Sequence, residues 1–374
     1  MITIEEINTF DQALGLKEEW DKLVDEVGLD VSMSFDFVMS LWEAWLGKKN
    51  IILLLAKEEN NLIGIFPLYI FKQRMLGIFP VNKIGMSTNI FSFHNDFIIK
   101  DKTIEAFNLV LDYLKMHYDM WDVFEITDVS TESRVIDWAN KSHFKTLLKY
   151  KVAGAPYAIL NDNWESYVQS RPQKFRQNLR RAEKELEKSG KPEVKYFGNP
   201  DEVDYVFDKI REIETESWKE RNGTTLERNE KQKTFFKSYF RKTADRDKLL
   251  AIFLCINGEY AAFSINVIDK KVCYPMLMSY KGKFKKYSPG SIIWERLIKR
   301  LFELKFEKFD ILRDIILNKE QALFKRKWAT GELEDFSIWF YNDRIYDLFL
   351  YHLNKIRTFV DRFMSSIRIS ERLT

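Results

Sequence analysis

One order of apolar periodicities runs through this chain twice, and a repeat of that length restricts the fold to two units of one mixed α/β design. From Glu5 to Trp45 apolar side chains recur at helical spacing, as in Trp20, Leu23, Val24 and Val27. The segment IILLLAKEENNLIGIFPLYIF then reads as strand, polar turn at Glu59, Asn60 and Asn61, and strand. An extended stretch broken by glycines and Pro80 leads to a helix over Thr103–His117, the strand WDVFEIT and a helix over 131–142. The second half repeats this order. Helical segments over 164–189 and 201–218 precede a hairpin, KLLAIFLCINGEYAAFSINVI, whose turn is Asn257-Gly258. The strand KVCYPMLMSY, the loop KGKFKKYSPGS, a helix to Leu304, the strand FEKFDIL, a helix over Lys319–Trp328 and the strand ELEDFSIWF complete it.

Each copy sets an antiparallel hairpin ahead of a β-α-β crossover, so the expected class is α/β with mixed sheets. The expected division is 1–160, 161–340 and a C-terminal helix over 341–374. In that helix Ile345, Phe349, His352, Ile356, Phe359 and Phe363 step by fours and threes, while Arg344, Lys355, Arg357, Arg362 and Arg368 decorate other faces. Docking on its own domain, a homodimer contact and a basic amphipathic helix on a membrane surface all fit that pattern.

Composition narrows the function. The chain has 374 residues, 45% hydrophobic, with 59 basic and 56 acidic side chains and a net charge of +3, so no global field gathers DNA and any anion site must be a local patch. The two cysteines, Cys255 and Cys273, lie in apolar runs, as reduced thiols do. The N-terminus lacks a cationic start followed by an apolar stretch, and no run of about eighteen uncharged apolar residues occurs, so the expected location is cytoplasmic. The four histidines, His94, His117, His143 and His352, have no metal spacing, so no metal is expected. His94 and Asp96 lie on one side of an extended segment and are candidates for substrate binding. Signatures of serine hydrolases, P-loop NTPases and dinucleotide enzymes do not occur.

The sharpest local signal is KYSPGSIIWERLI. Ser288, Pro289, Gly290 and Ser291 form a turn entering a helix, where backbone amides and the macrodipole favour an anion such as a pyrophosphate. Lys281, Lys283, Lys285 and Lys286 add positive charge. The same four residues also make an ordinary helix N-cap, and both readings stand at this stage. Upstream, Arg176, Arg180, Lys184 and Lys188 lie at i, i+4 spacing beside the apolar stripe Phe175, Leu179, Ala182 and Leu186. Either that stripe is the solvated face of a packed helix, or Arg176, Arg180 and Arg181 grip a phosphate or carboxylate.

Three segments, PQKFRQNLRRAEKELEKSG, SYKGKFKKYSPGSIIWERLI and FDILRDIILNKEQALFKRKW, together resemble the CelD/BcsL-type branch of the GNAT acyltransferases of bacterial polysaccharide and cellulose synthesis, similar in fold to the FemAB aminoacyl transferases. The resemblance covers residues 15 to 340 and its motifs lie in 160 to 340. It implies tandem GNAT-like domains, with acyl-CoA, acetyl-CoA foremost, held by Ser288, Gly290, Ser291, Lys286 and Lys325. An amine or hydroxyl of a sugar, nucleotide-sugar or other envelope precursor would be the acceptor. Asp310, Arg313 and the element Phe324-Lys325-Arg326-Lys327-Trp328 match the family's pattern, with Phe324 where a tyrosine is usual and Asp314 where a glycine follows the arginine. Acyl transfer needs a base, an oxyanion partner and a proton for the departing thiolate. Asp310 is the candidate base and Tyr280 and Tyr287 the candidate acids, with Arg313 on the substrate. A FemAB-like aminoacyl transferase and an inactive binding module remain alternative readings.

Overall fold

The computed structural model describes residues 1–7, 9–46, 50–88, 91–100, 103–117, 121–142, 147–188, 190–313, 319–342 and 344–370. His143 and Asp314 lie outside these residues. In chain order the elements are β1 (Ile2–Ile7), α1 (Phe10–Leu14), α2 (Lys17–Val27), α3 (Phe35–Leu41), β2 (Ile51–Glu58), β3 (Asn61–Met75), β4 (Phe79–Met86), β5 (Ile98–Ile99), α4 (Thr103–His117), β6 (Val123–Ser130), α5 (Val135–Lys141) and β7 (Leu147–Ile159). Then come α6 (Trp164–Gln169), α7 (Gln173–Lys188), β8 (Pro192–Phe197), α8 (Val203–Thr215), α9 (Trp218–Arg221), α10 (Glu230–Ala244), β9 (Leu249–Ile256), β10 (Glu259–Asp269), β11 (Val272–Tyr280), α11 (Pro289–Glu303), β12 (Lys308–Asp310), α12 (Lys319–Arg326), β13 (Gly331–Tyr341) and α13 (Ile345–Ser370).

Two units form. One comprises 1–42, 46–152 and 334–374, the other 43–45 and 153–333. In the first, β1, β2, β3 and β4 run antiparallel, β4 pairs in parallel with β6 across the α4 crossover, and β6 pairs antiparallel with β13. In the second, β8, β9, β10 and β11 run antiparallel, β11 pairs in parallel with β12 across α11, and β12 pairs antiparallel with β7. The duplicated mixed α/β design therefore stands. Both hairpin turns have consecutive left-handed residues, Glu59 and Asn60 in one and Asn257 and Gly258 in the other, which matches the twist of the flanking strands.

The division is not the linear one expected from the sequence. The strand read as the end of the second copy continues, from Glu334, in the first unit, because Phe336, Ile338 and Phe340 align with Val129, Ile126 and Phe124 of β6. The start of the second unit likewise lies inside β7, whose Tyr157, Ala158 and Ile159 pair with β12. The C-terminal helix docks on the first unit: Leu350 is buried in a cluster with Met75, Val81, Val123, Trp339 and Tyr341. Pro172 interrupts the expected helix over 164–189 and splits it into α6 and α7, since the residue before a proline avoids helical geometry.

In the second unit α6, α7 and α11 cover one sheet face, burying Leu179, Leu186, Ile292, Ile293, Leu297 and Ile298 against Ile252, Leu254 and Ile256. The alternate residue Phe253 contacts Phe197, Tyr260 and Phe263 instead, as strand alternation requires. Cys255 and Cys273 are buried free thiols, and burial pushes the pKa of each above its ordinary value. Among the described residues no helix is long and apolar enough to cross a membrane.

Lys281 fastens the loop that leads into α11. It is 2% exposed, and its Nζ lies 2.9 Å from Glu212, 3.1 Å from Glu216 and 2.8 Å from Glu259. Burial alone would lower its pKa, but the hydrogen bonds it donates to these carboxylates overcome that and raise it. Replacing Lys281 by Met leaves the carboxylates facing one another. Because they are partly exposed, the loss should fall between surface and buried pairs, about 2 kcal/mol in urea unfolding at neutral pH. Glu212 and Glu259 are held below their ordinary 4.5, so this contribution is present above 4.5 and fades as pH falls below it. The gap between wild type and Lys281→Met should therefore narrow on acidification.

Candidate functional site

A bulge in β11 shapes the site. The register between β10 and β11 slips so that Asn266 pairs with Pro275 and Ile265 with Leu277, leaving Met276 as the extra residue. An extra residue bends its strand away from its neighbours. The parallel pairing with β12 covers only Val272–Lys308 and Cys273–Phe309, after which β11 continues to Tyr280 paired with β10 alone. A proline within a strand pattern was the available signal for this bulge. From the end of β11 the chain passes through the loop that Lys281 fastens into α11.

There the chain turns through Ser288, in left-handed geometry at φ 52°, as the N-cap of α11. Such a backbone costs an L-residue about 1 kcal/mol and marks functional turns. Its carbonyl accepts from Ser291 and Ile292, while its side chain caps no amide. Pro289 brings no N–H, and Gly290 would place a Cβ 3.8 Å from Met278 and 3.9 Å from Tyr280, ordinary contact distances. The turn is not sealed: Ser288 and Ser291 line a cavity of about 190 Å³ together with Lys286, Asn178, Arg181, Glu185, Phe324 and Lys327 over an apolar floor of Phe175, Leu179 and Ala182.

Helix α7 divides the residues expected to grip an anion. Arg181 lines this cavity. Arg176 and Arg180 line another, of about 220 Å³, with Trp164 of α6, Glu183 of α7, and Glu295 and Lys299 of α11. The lysines divide as well. Lys281 and Lys283 are engaged by Glu216 and Glu259, whereas Lys286 faces the first cavity. Lys325 donates to the carbonyls of Leu312 and Arg313 and fastens the loop after β12, while Lys327 stands in the cavity instead. Spacing alone could not separate Lys325 from Lys327, because the turn that follows α12 decides which of them faces inward.

Asp310 ends β12, 1% exposed, with Lys308 Nζ 2.8 Å from one oxygen and the amide of Leu312 donating to the other at 3.2 Å. Tyr280 and Tyr287 are half-buried against the core, Tyr280 beside Gly290 and Tyr287 under the ammonium of Lys286 at 4.8 Å. His94 and Asp96 belong to the first unit. His94 Nδ1 lies 3.6 Å from the buried Asp335, and Asp96 accepts from the amide of Phe97 at 2.7 Å. Burial pushes Asp96 up to about 6. Among the described residues no group of three or more His, Cys, Asp or Glu is arranged to hold a metal.

The Glu183–Glu295 pair was not foreseen, although the i, i+4 placement of Glu295 and Lys299 was visible. Burial first, and then Glu183, push Glu295 up to about 7, while Glu183 is held below its ordinary value against its own burial by Glu295, Lys299 and Arg296.

Residues 173–326 match the acetyltransferase (GNAT) domain family. No curated protein is significantly similar to the chain in sequence. Among solved structures the chain is similar to FemX, at 12% identity over 88% of this chain and 96% of that one with a TM-score of 0.57. It is also similar to L-PGS from Bacillus licheniformis, at 13% identity over 90% and 95% with a TM-score of 0.55. A tandem GNAT protein from the clavulanic acid biosynthesis pathway gives 8% identity, 90% and 98% coverage and a TM-score of 0.51. At such identities the likeness is one of fold. The chain has the tandem GNAT fold, and residues 173–326 form an acyltransferase domain of the GNAT type.

Glu295 makes stability depend on pH. Its folded pKa of about 7 lies above its ordinary 4.5, so the folded state holds the extra proton between these values and loses stability as pH rises through them. Glu295→Gln removes this dependence. Its melting temperature should gain on wild type between pH 5 and pH 8, by the equivalent of about 2–3 kcal/mol.

Proposed function

We propose that the second unit transfers an acyl group from a coenzyme A thioester, acetyl-CoA foremost, to an amine or hydroxyl of a cell-envelope or polysaccharide precursor in the cytoplasm. The observation that carries this reading is the cavity at the start of α11, where Ser288 and Ser291 face Lys286, Arg181 and Lys327. A helix mouth with three cations suits a pyrophosphate, and a gap between parallel strands suits an extended pantetheine arm that pairs with the strand edge. The apolar floor of Phe175, Leu179 and Ala182 suits the nonpolar part of the carrier.

In this reading Asp310, at the strand end beside the gap, takes the proton as the acceptor attacks the thioester carbonyl. The C–S bond breaks, and the departing thiolate is protonated by Tyr280 or Tyr287. Arg176, Arg180 and Arg313 remain candidates for the substrate, as do His94 and Asp96. The motif likeness to CelD/BcsL-type proteins supports a sugar-linked acceptor. An aminoacyl-tRNA donor would use the same turn, since its carrier also presents anionic phosphate groups.

Thermal shift separates the donors. Acetyl-CoA at one hundred times its Kd should stabilise the protein by about 2.7 kcal/mol. Arg181→Glu should abolish the shift, and Gly290→Ala, whose methyl has room in the unliganded turn, should reduce it without lowering the starting melting temperature. A shift with aminoacyl-tRNA but none with any acyl-CoA would transfer the reading to the second donor. Silence with both would remove it.

A further inference from the structure

The second cavity, on the other flank of α7, holds two buried polar groups of opposite kind. Oε2 of Glu295, a residue 2% exposed, finds no donor and has only the Glu183 carboxyl beside it, with which it can share a proton, while the buried Nε of Arg176 has no partner. Both residues line the same space of about 220 Å³. The buried donor of Arg176, and the Glu295 carboxyl whenever it gives up its proton, carry a desolvation cost that a bound molecule can recover.

Their surroundings specify that molecule. Around Glu295, α11 contributes Lys299, whose Nζ is 2.6 Å from Oε1, and Arg296, whose Nη1 is 3.8 Å away, and α7 contributes Glu183. Glu183 in turn takes Arg296 at 3.2 Å and Lys299 at 3.7 Å. Lys299 and Arg296 bridge the two facing carboxyl groups without cancelling their repulsion, and a proton on Glu295 relieves the remainder. Toward the other end, Arg176 uses Nη1 on Gln169 and presents Nε, Arg180 is exposed at the rim, and Glu165 of α6 completes the lining. Trp164 forms an aromatic wall whose ring Lys299 approaches at 5.0 Å.

We infer that this cavity binds a free α-amino acid, its carboxylate on Arg176 and Arg180 and its ammonium group on Glu295 and Glu183. The ammonium takes over the role of the shared proton, which leaves to solvent on binding. Guanidinium geometry suits the carboxylate, and the short separation of the two charges in an α-amino acid suits a cavity of this size. The inference is independent of the donor site, whose lining shares only Leu179 with this one.

The test is titration calorimetry of the full chain with each standard L-amino acid at millimolar concentration, in two buffers of different ionisation enthalpy. At least one should bind and release a proton near pH 6, and its affinity should rise close to tenfold per pH unit up to about 7 and level off above, as expected where one proton competes. The matching acid without the amine and the matching amine without the carboxylate should each bind at least tenfold more weakly. Glu295→Gln should abolish the pH slope and weaken binding at least tenfold. Arg180→Ala, an exposed change that leaves the fold intact, should also weaken it, so the test survives if Glu295→Gln does not fold. No binding by any amino acid, equal affinity for the amine-free acid, or affinity that falls as pH rises toward 7 would overturn the inference.

Discussion

The extra residue in β11 is the constraint on which the working half depends. A parallel pair held along its full length would bury its amides in the sheet ladder and offer nothing to a ligand. Pairing with the short β12 ends at Cys273, Met276 breaks the register against β10 just beyond, and the strand from Tyr274 to Tyr280 has no β12 partner. The crossover must then descend from the end of a diverging strand, and this brings the first turn of α11 to the opening. Ser288 completes the arrangement by turning left-handed, at a local cost met by the packing of Ile292, Ile293 and Leu297 beneath it.

Charge is distributed so that only part of a basic sequence stays available. The loop KGKFKK looks like a uniform cationic patch, yet Lys281 and Lys283 are engaged by carboxylates from α8, β10 and the turn after α8. That engagement fixes the loop. Lys286, which follows the last of these anchors, lies in the cavity. Helix α7 does the same with its arginines, because positions 176 and 180 share one flank while 181, a hundred degrees further round, lies on the other. One amphipathic helix thus lines two cavities of different character.

The frame was legible because hairpin turns and alternating strands are local signals. Glu59-Asn60 and Asn257-Gly258 announced their turns through residues that accept positive φ, and Thr103–His117 appeared as a helix with the observed bounds. The exchange of closing strands was not legible. ELEDFSIWF is a strand in either unit, and only the ladder of Phe336, Ile338 and Phe340 with β6 decides its membership. The open turn was readable from Ser288 to Ser291, but its partners were not. Lys325 and Lys327 differ only in which way a terminal turn carries them, and Glu183 and Glu295 come together only once α7 lies on α11.

The two copies differ where their parallel strands pair. In the first unit β4 pairs with β6 through Lys83, Ile84 and Gly85 and ends at Met86, so no free strand runs beyond the parallel ladder. The buried Lys83 binds Glu125 of β6 at 2.9 Å and sits 3.7 Å above the ring of Trp339. Burial lowers its pKa, and Glu125 opposes that shift. An ammonium with a carboxylate and an indole around it occupies the strand pair that, in the second unit, opens toward α11. Duplication preserved the sheet, since the sheet is what folds. It did not preserve the register slip, which requires one inserted residue in β11.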